Sequence, residues 1–478
     1  MSVNLTRLAV TILAASFFIP AAARAFDLAY PLADPLHTEP AELREGVVLP
    51  GDREPVPCAV RQDFSRPLAL GEAVDLALCN NPQIKASWAD IRVQAGALGE
   101  ARAAYLPTLN GALSRTNDRI HYSDSRYLST SQDSNTAQAT LDWRLFDFGA
   151  RAANRKAAED LLAAALATHQ ATLQRALTGV VQAYFDAISG RAAVEAKREG
   201  EEIARETLRS AQKRELKGVG TQSDTLQAAT ALAKAQLDKN RAQGDYQKAL
   251  AVLAYILAVP DNTIILLPEE RDEDIHDQAL ALGQWLNEAQ RKHPAVLAAR
   301  KQLAAAQQRV TATRAAGLPN LSFSTSFYQN TRPGEAVTST DATETTFGLS
   351  ISVPLFDGFT QTYKLRGAQA QVEQKRANLS DTEHQIAMEV IKAHADATSA
   401  LHNLEAAANL LFAAQEALTV TKRKYDKAAA DIMQLLSVQA ALADARQERI
   451  RSLADWRSAR LRLMSSAGQL GRSAIGEQ

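Results

Sequence analysis

Residues 137–149 read Ala-Gln-Ala-Thr-Leu-Asp-Trp-Arg-Leu-Phe-Asp-Phe-Gly, and this stretch decides how the chain folds. Up to Leu145 its odd positions are apolar and its even positions are polar. That alternation is typical of a β-strand with one apolar and one polar face. The pattern returns over residues 346–355, and both copies run into a Leu-Phe-Asp triplet, at 145–147 and 355–357. The chain therefore contains one unit twice, about 210 residues apart.

Both copies show the same order of features. An amphipathic run containing Pro82 or Pro294 ends at a Leu-Pro dipeptide, 106–107 or 318–319. Two alternating segments then flank a Ser/Thr-rich loop, and a long Ala-rich tract follows the Leu-Phe-Asp corner. The period is far longer than the roughly 20 to 50 residues of a solenoid repeat. It indicates a duplicated half-molecule.

The N-terminal 25 residues have the composition of a secretory signal peptide. Arg7 precedes an apolar stretch that ends at Ile19, and Ala23-Arg-Ala25 is a small-x-small cleavage site. No later apolar run reaches the roughly 20 residues that a transmembrane helix requires. No cysteine follows the signal directly. We therefore expect an exported chain without a helical anchor or an attached lipid.

The composition argues against several functional classes. The formal net charge is -1 with both signs interspersed, which argues against a nucleic-acid partner. The eight histidines form no His-Glu-x-x-His motif, and there is no Cys-x-x-Cys motif. No nucleophile, general base or cofactor fingerprint is recognisable. We expect no catalytic residue, no cofactor and no metal, and hence a conduit rather than an enzyme.

The two cysteines, Cys58 and Cys79, leave two readings open. In an oxidising compartment they would form a disulfide that tethers the Pro-rich N-terminal arm. Alternatively, both remain unpaired thiols. Neither reading supports catalysis.

Proline positions indicate where long helices can form. No proline lies between Pro107 and Pro260, and none follows Pro354. Because an internal proline costs a helix ~3 kcal/mol, we predict helices over 151–217 and 361–425. Each is followed, after a turn, by a second helix that ends near 259 or 470. A helix of about 65 residues spans ~100 Å, so the sequence predicts two very long helical hairpins.

These features divide the chain into six parts. We predict a signal peptide at 1–25, a periplasmic arm at 26–67, a first repeat at 68–260, an acidic linker at 261–279, a second repeat at 280–470 and a tail at 471–478.

Four alternating segments predict a membrane-embedded sheet. An exposed sheet of four strands would leave two open edges and an uncovered apolar face. The smallest transmembrane barrels have about eight strands, so a barrel would have to be shared between subunits. A soluble sandwich is the alternative, but the sequence offers no covering sheet. The residues predicted to face lipid are Leu141, Trp143, Leu321, Phe323, Phe347, Leu349, Ile351 and Val353.

The whole mature chain resembles the TolC-like outer membrane factors. The matching motifs are Asn80-Asn-Pro82, Tyr105-Leu-Pro107, the corner at 145–149 with its echo at 355–358, and the hairpin tip at 218–229. Their order and spacing carry the resemblance. It implies an α+β fold: a homotrimeric 12-strand outer-membrane β-barrel, four strands per chain, continued by a periplasmic α-helical tunnel. Within the family the chain looks most like outer-membrane components of type I secretion, specifically exporters of adenylate cyclase-haemolysin toxins of the RTX class.

The resemblance also implies where the tunnel closes. Family members close it at the hairpin tips with acidic rings and linking side chains. Asp224 falls on the acidic position of the first tip, and Tyr425 on the aromatic link of the second. Ala428 and Ala430 stand where a glycine and a linking arginine are expected, and two expected aspartates are replaced by Gln434 and Ser437. We therefore expect a gate that is held differently. The predicted aperture residues are Asp224, Gln227, Tyr425, Asp431, Gln434 and Ser437.

The implied partners are two further copies of the chain, a periplasmic membrane-fusion adaptor, an inner-membrane ABC exporter, an exported protein and outer-membrane lipid. An efflux pump for small molecules would be the alternative inner-membrane partner. A periplasmic coiled-coil scaffold is a further alternative, although it would not need four alternating strands. An enzyme built around Asp224 would lack a partner residue.

Overall fold

The computed structural model describes residues 34–40, 58, 66–121, 123–124, 130–260, 265–268, 281–330, 342–427 and 429–471. The predicted signal peptide lies outside these residues, as do most of the predicted arm and acidic linker and nearly all of the tail. Among the described helices, none combines the length and apolar character needed to cross a bilayer.

The first repeat contains two short helices, two strands and two long helices. Helix α1 (Leu70–Asn80) breaks before α2 (Pro82–Ala103), because Pro82 has no N–H to continue the ladder. The Asn81 side chain caps α2 by accepting a hydrogen bond from the Gln83 amide at 2.8 Å. Strands β1 (Thr108–Ile120) and β2 (Thr130–Phe146) follow, then helices α3 (Ala150–Leu216) and α4 (Gln222–Leu257).

The second repeat has the same plan. Its elements are α5 (Leu282–Lys292), α6 (Pro294–Ala316), β3 (Asn320–Asn330), β4 (Ala342–Ser352), α7 (Thr360–Asp426) and α8 (Ile432–Ser466). Helices α3 and α7 have 67 residues each and are therefore ~100 Å long. The ends of these two helices fall within one residue of the sequence prediction.

The four strands form one antiparallel sheet in the order β1-β2-β3-β4. Residues that face each other across antiparallel strands point to the same side of the sheet. Trp143 pairs with Phe323, and Phe323 pairs with Leu349. In the next row Leu141, Thr325 and Phe347 are paired in the same way. The predicted apolar positions therefore share one face.

The structure corrects the predicted alternation at the ends of two strands. The register shifts between Arg144 and Phe146, so that Phe146, not Leu145, pairs with Leu321 on the apolar face. A β-bulge inserts one residue and reverses the side of each following side chain. Val353, predicted to face lipid from a strand, lies just past the end of β4. The strand stops there because Pro354 cannot donate a ladder hydrogen bond.

The strand-to-helix corners each contain two consecutive residues in the left-handed region. They are Phe148 and Gly149 in the first repeat, and Gly358 and Phe359 in the second. In the first corner Arg151 Nε contacts Asp147 Oδ2 at 2.8 Å, and both side chains are only 10% exposed. The same guanidinium donates to the carbonyl oxygens of Arg144 and Leu145. Strand β2 and helix α3 are thereby fixed at one angle.

The two long helices are shared between several neighbours, so the prediction of two simple hairpins was incomplete. Helix α3 is nearly twice as long as α4; it also packs against α2, α6 and α8. Helix α7 packs against both α6 and α8. Near the sheet the helix order is therefore α2-α3-α6-α7, and farther away it is α4-α3-α8-α7. A central apolar core from α1, α3, α4 and α8 includes Val74, Leu177, Tyr184, Leu253 and Leu461.

Several described contacts attach the N-terminal arm to helices α1 and α2, among them an ion pair of Arg66 with Glu72. Cys58 and Cys79 form a disulfide, with their Cα atoms 5.6 Å apart. Arg102 at the end of α2 donates to the carbonyl oxygens of Leu36 and His37, at 2.8 and 2.9 Å. These contacts hold residue 58 against the α1–α2 junction and residues 36–37 against the C-terminal end of α2.

The cap of α6 makes stability depend on pH. His293 Nδ1 accepts a hydrogen bond from the Ala295 amide, and burial lowers the pKa of His293 to about 4 from 6.5. Its contribution is complete above pH ~6.5 and is lost as pH falls from there to ~4, up to ~3 kcal/mol per chain. Asparagine, which caps the equivalent helix at Asn81, can accept the same bond without titrating. We expect His293→Asn to reduce the loss of heat stability between pH 7 and pH 4.

The exposed His402 on α7 provides the matched control. His402→Asn should leave the pH dependence of the melting temperature unchanged. An equal effect of both substitutions would contradict the assignment to the α6 cap.

Candidate functional site at the helix tips

The first helix tip is a tight turn between α3 and α4. The Gly218 amide donates to Glu215 O at 2.9 Å and the Val219 amide to Arg214 O at 3.0 Å, with Gly218 at φ 72°. This geometry ends a helix through a left-handed residue, for which glycine is best suited. A Cβ atom on Gly220 would lie 3.2 Å from the Glu215 backbone nitrogen. The left-handed conformation therefore favours glycine at 218, and a side chain at 220 would require its neighbours to shift by a few tenths of an ångström.

Asp224 begins helix α4. Its amide donates to Thr221 Oγ1, and its Oδ2 accepts from the Thr221 amide, both at 3.1 Å. This reciprocal pair is a capping box. Thr225 Oγ1 also donates to Glu215 Oε2 at 2.5 Å, which ties α4 back to α3. The Asp224 carboxylate therefore has a structural use within its own tip.

Asp431 has a similar use in the second tip. Its Oδ1 accepts a hydrogen bond from the Gln434 amide at 2.7 Å and so caps α8. Ile432 and Leu435 in the next turn are buried against Tyr425, which is 4% exposed. The tip is held by a small apolar cluster rather than by a network of charges.

An arginine joins the two tips. Arg214 Nη1 donates to the backbone oxygen of Tyr425 at 2.7 Å, and its guanidinium carbon lies 4.7 Å from the centre of the Tyr425 ring. Burial raises the pKa of the Tyr425 hydroxyl; Arg214 opposes this rise, whereas Asp224 and Asp426 add to it. The phenol is therefore neutral at physiological pH. A charged hydrogen bond and a cation–π contact together link α3 to α7.

Further polar contacts join the same two halves above the tips. They share one arrangement, a side chain of α3 paired with a side chain of α7 or α8. The pairs are Glu206 with Lys422 at 3.1 Å, Thr207 with Gln439 at 2.8 Å, and Glu199 with Arg446 at 2.9 Å. The Arg214–Tyr425 contact is thus the one nearest the tips in a series of polar contacts between the two halves.

The structure brings only some of the predicted aperture residues together. Asp224 and Tyr425 are close enough to interact electrostatically. Gln227 lies about one turn along α4, with its Nε2 atom 3.5 Å from Ser223 Oγ. Asp431, Gln434 and Ser437 are exposed on the second tip. In the part of the chain that the structure describes, no cluster of histidine, cysteine or acidic residues could hold a metal.

Arg214 was missed in the sequence. It lies in Lys213-Arg-Glu-Leu-Lys217, where a cation near a helix C-terminus is ordinary because it complements the helix dipole. The resemblance placed the linking arginine at the position of Ala430, in the other hairpin. Only the contact of Arg214 on α3 with Tyr425 on α7 shows that the first tip supplies an arginine between the tips.

Comparisons with known proteins agree with this architecture. The family model described as outer membrane efflux protein matches residues 73–259 and 285–469, once in each repeat. Protein CyaE of Bordetella pertussis is 35% identical over 424 residues, 88% of each chain. The alkaline protease secretion protein AprF of Pseudomonas aeruginosa is 26% identical, over 85% of this chain and 86% of AprF.

Solved structures show the same fold. The Campylobacter jejuni CmeC outer membrane channel superposes with a TM-score of 0.74 at 16% identity, over 90% of this chain and 95% of CmeC. The outer membrane protein VceC of Vibrio cholerae gives 0.73 at 20% identity, over 84% and 96%.

The predicted fold class and localisation are thereby confirmed. Each chain contributes four strands and two copies of one unit, and three such chains supply the twelve strands of an outer-membrane barrel. The long helices form the periplasmic tunnel. The chain belongs to the outer membrane efflux protein family, whose members form trimeric channels that work with adaptors and inner-membrane transporters.

Proposed function

We propose that three copies of this chain form the exit duct of a type I protein secretion system, gated at the periplasmic helix tips. The main observation in support of this gate is the contact between Arg214 and Tyr425, which joins α3 and α7 at the end of helices ~100 Å long. A gated channel needs an element that can adopt an open and a closed arrangement. Helix tips that are joined by only a few contacts can act as such an element. The sheet at the opposite end supplies the lipid-facing surface.

Protein secretion is favoured over small-molecule efflux by the relatives. CyaE is 35% identical to this chain over 424 residues, and AprF is named for secretion of an alkaline protease. The outer membrane efflux protein BepC of Brucella suis is 24% identical over 422 residues, which keeps efflux as the second candidate. We further propose an RTX-type toxin as the exported protein, delivered by an ABC exporter. In this role the chain is a passive duct without a catalytic site or cofactor.

A host deleted for its own outer-membrane channels would test this function. The host would express the chain with a type I exporter, an adaptor and a tagged RTX-class protein. Secretion is supported if the tagged protein appears in the medium only when the chain is present. Restored resistance to small toxic compounds, without secretion, would instead favour efflux.

The first tip offers a surface for the adaptor. Leu216, Val219 and Leu226 are 88%, 65% and 61% exposed in the single chain. Exposed apolar side chains clustered at one end of a molecule are typical of protein interfaces. We therefore place adaptor contact on this turn.

Charged residues here should block secretion without disturbing the barrel. In Leu216→Glu/Val219→Glu chains, a carboxylate would have to be desolvated on adaptor binding. We expect at least about a tenfold loss of secreted protein, with unchanged amounts of trimer in the outer membrane. Leu216→Met/Val219→Ile is the conservative control and should secrete normally. Normal secretion by the glutamate variant would place the adaptor elsewhere.

A further inference from the structure

The helix tips carry a charge opposite to that of the whole chain. Residues 213–224 and 423–431 together contain six cationic and four anionic side chains, a net charge of +2, whereas the whole chain has -1. The cationic residues are Lys213, Arg214, Lys217, Arg423, Lys424 and Lys427. Three chains around one channel would therefore bring a net charge of about +6 to its periplasmic end.

Five of these cations are exposed in the single chain. Lys213, Lys217, Arg423, Lys424 and Lys427 are exposed and form no ion pair within the described residues. Arg214 alone is used to join the tips. By contrast, Lys422, the residue before Arg423, forms an ion pair with Glu206. The five free cations, which we name the basic rim, are thus not neutralised by their own tips.

Three of the four acidic residues of the tips accept hydrogen bonds, and the fourth, Asp426, is exposed. Asp224 and Asp431 each accept a backbone amide at the start of a helix, and Glu215 accepts from Thr225. Lys213, Arg423 and Lys424 lie in the last turns of α3 and α7, where they also complement the helix dipole. Lys217 and Lys427 lie just past those helices.

An exposed apolar side chain also lies at the second tip. Met433 is 57% exposed and follows Asp431 by two residues. Cations alone would suit small anions. Cations beside exposed apolar side chains suit a polypeptide with acidic and apolar residues.

We infer that the basic rim binds an acidic, unfolded segment of the exported polypeptide at the tunnel entrance. This assignment rests on the proposed export function and names the charge class of its substrate. A polypeptide entering the channel would meet the rims of all three chains, so their fields would add. A partner docked beside the tunnel would meet only one or two.

Peptide binding to the purified full-length trimer tests the inference without exporter or adaptor. The probes are poly-glutamate and poly-lysine peptides of about 20 residues with a neutral dye, followed by fluorescence anisotropy at low and high salt. We expect poly-glutamate to bind, poly-lysine not to bind, and added salt to weaken the complex. The variant Lys213→Gln/Lys217→Gln/Arg423→Gln/Lys424→Gln/Lys427→Gln should bind poly-glutamate at least about tenfold more weakly.

Two controls separate charge at the tips from charge in general. Lys234→Gln/Lys392→Gln removes exposed cations away from the tips and should bind normally. Exchange of lysine and arginine at the five rim positions keeps the charge and should also bind normally. If the five-fold glutamine variant does not form trimers, Lys213→Gln/Lys217→Gln and Arg423→Gln/Lys424→Gln/Lys427→Gln take its place.

Equal binding of both peptides would overturn the inference, as would unchanged poly-glutamate binding in assembled rim variants. Failure of the secretion test alongside rim-dependent poly-glutamate binding would remove only the proposed secretion role. The two conclusions can therefore fail separately.

Discussion

Channels with Arg214→Ala should leak at their periplasmic end. The substitution removes the hydrogen bond to Tyr425 O and the cation–π contact with its ring. A hydrogen bond from a charged donor contributes ~1.5–3 kcal/mol and a cation–π contact ~0.5–2 kcal/mol. A loss of about 2 kcal/mol per chain would shift the ratio of closed to open tips roughly 30-fold. The readouts are single-channel conductance in planar bilayers and cellular sensitivity to antibiotics too large to cross the outer membrane.

Arg209 lies on the same helix, is exposed, and provides the control. Arg209→Ala should conduct like the unaltered channel. Tyr425→Phe should also remain closed, because the contact uses the carbonyl oxygen and the ring rather than the hydroxyl. Tyr425→Ala should open, since it removes the ring from the cluster with Ile432 and Leu435. Closed Arg214→Ala channels would show that the tips are held by contacts between chains.

Most of the architecture could be predicted because its signals are local. The strands around Leu141 and Phe347 could be predicted from the two-residue period of their apolar side chains. The helix ends near residues 150 and 216 could be predicted from the proline-free run and the glycines that flank it. The bulge after Arg144 could not be predicted. The bulge makes Phe146 instead of Leu145 the partner of Leu321. Because both residues are apolar, the sequence pattern looks the same with or without the bulge.

The tip was harder to predict because its main contact joins residues 211 positions apart in the chain. Arg214 and Tyr425 each have an ordinary local explanation, as a C-terminal cation and an apolar side chain. Asp224 was placed at the aperture by resemblance, whereas the hydrogen bonds show it closing a capping box with Thr221. The same carboxylate can still contribute charge to the tip, but its position is set by helix capping.

The sheet provides the second large effect. Phe347 pairs with Thr325, which pairs with Leu141, and this row lies between the rows of Leu349 and Phe327. Rows are two residues apart, or ~6.6 Å along the strand, so the four rows from Ile351 to Phe327 extend ~20 Å along the strands. Because barrel strands tilt by ~35–45°, these rows would cover ~15 Å of the ~25 Å lipid-facing band. With Ile351 next to the periplasmic end of its strand, we therefore expect the Phe347 row near the bilayer midplane and Ile351 near the periplasmic boundary.

Phe347→Arg should accordingly destabilise the assembled barrel by ~2–4 kcal/mol per chain, because an arginine at mid-depth faces hydrocarbon. Ile351→Arg should cost only ~0–1 kcal/mol, since its guanidinium can reach the headgroups. Thr346, the exposed neighbour of Phe347, points to the opposite face at the same depth, so Thr346→Arg should be tolerated. The measurement is the fraction of heat-resistant trimer in lipid bilayers and its urea midpoint. Equal losses for Phe347→Arg and Thr346→Arg would show that the apolar face is not the one in contact with lipid.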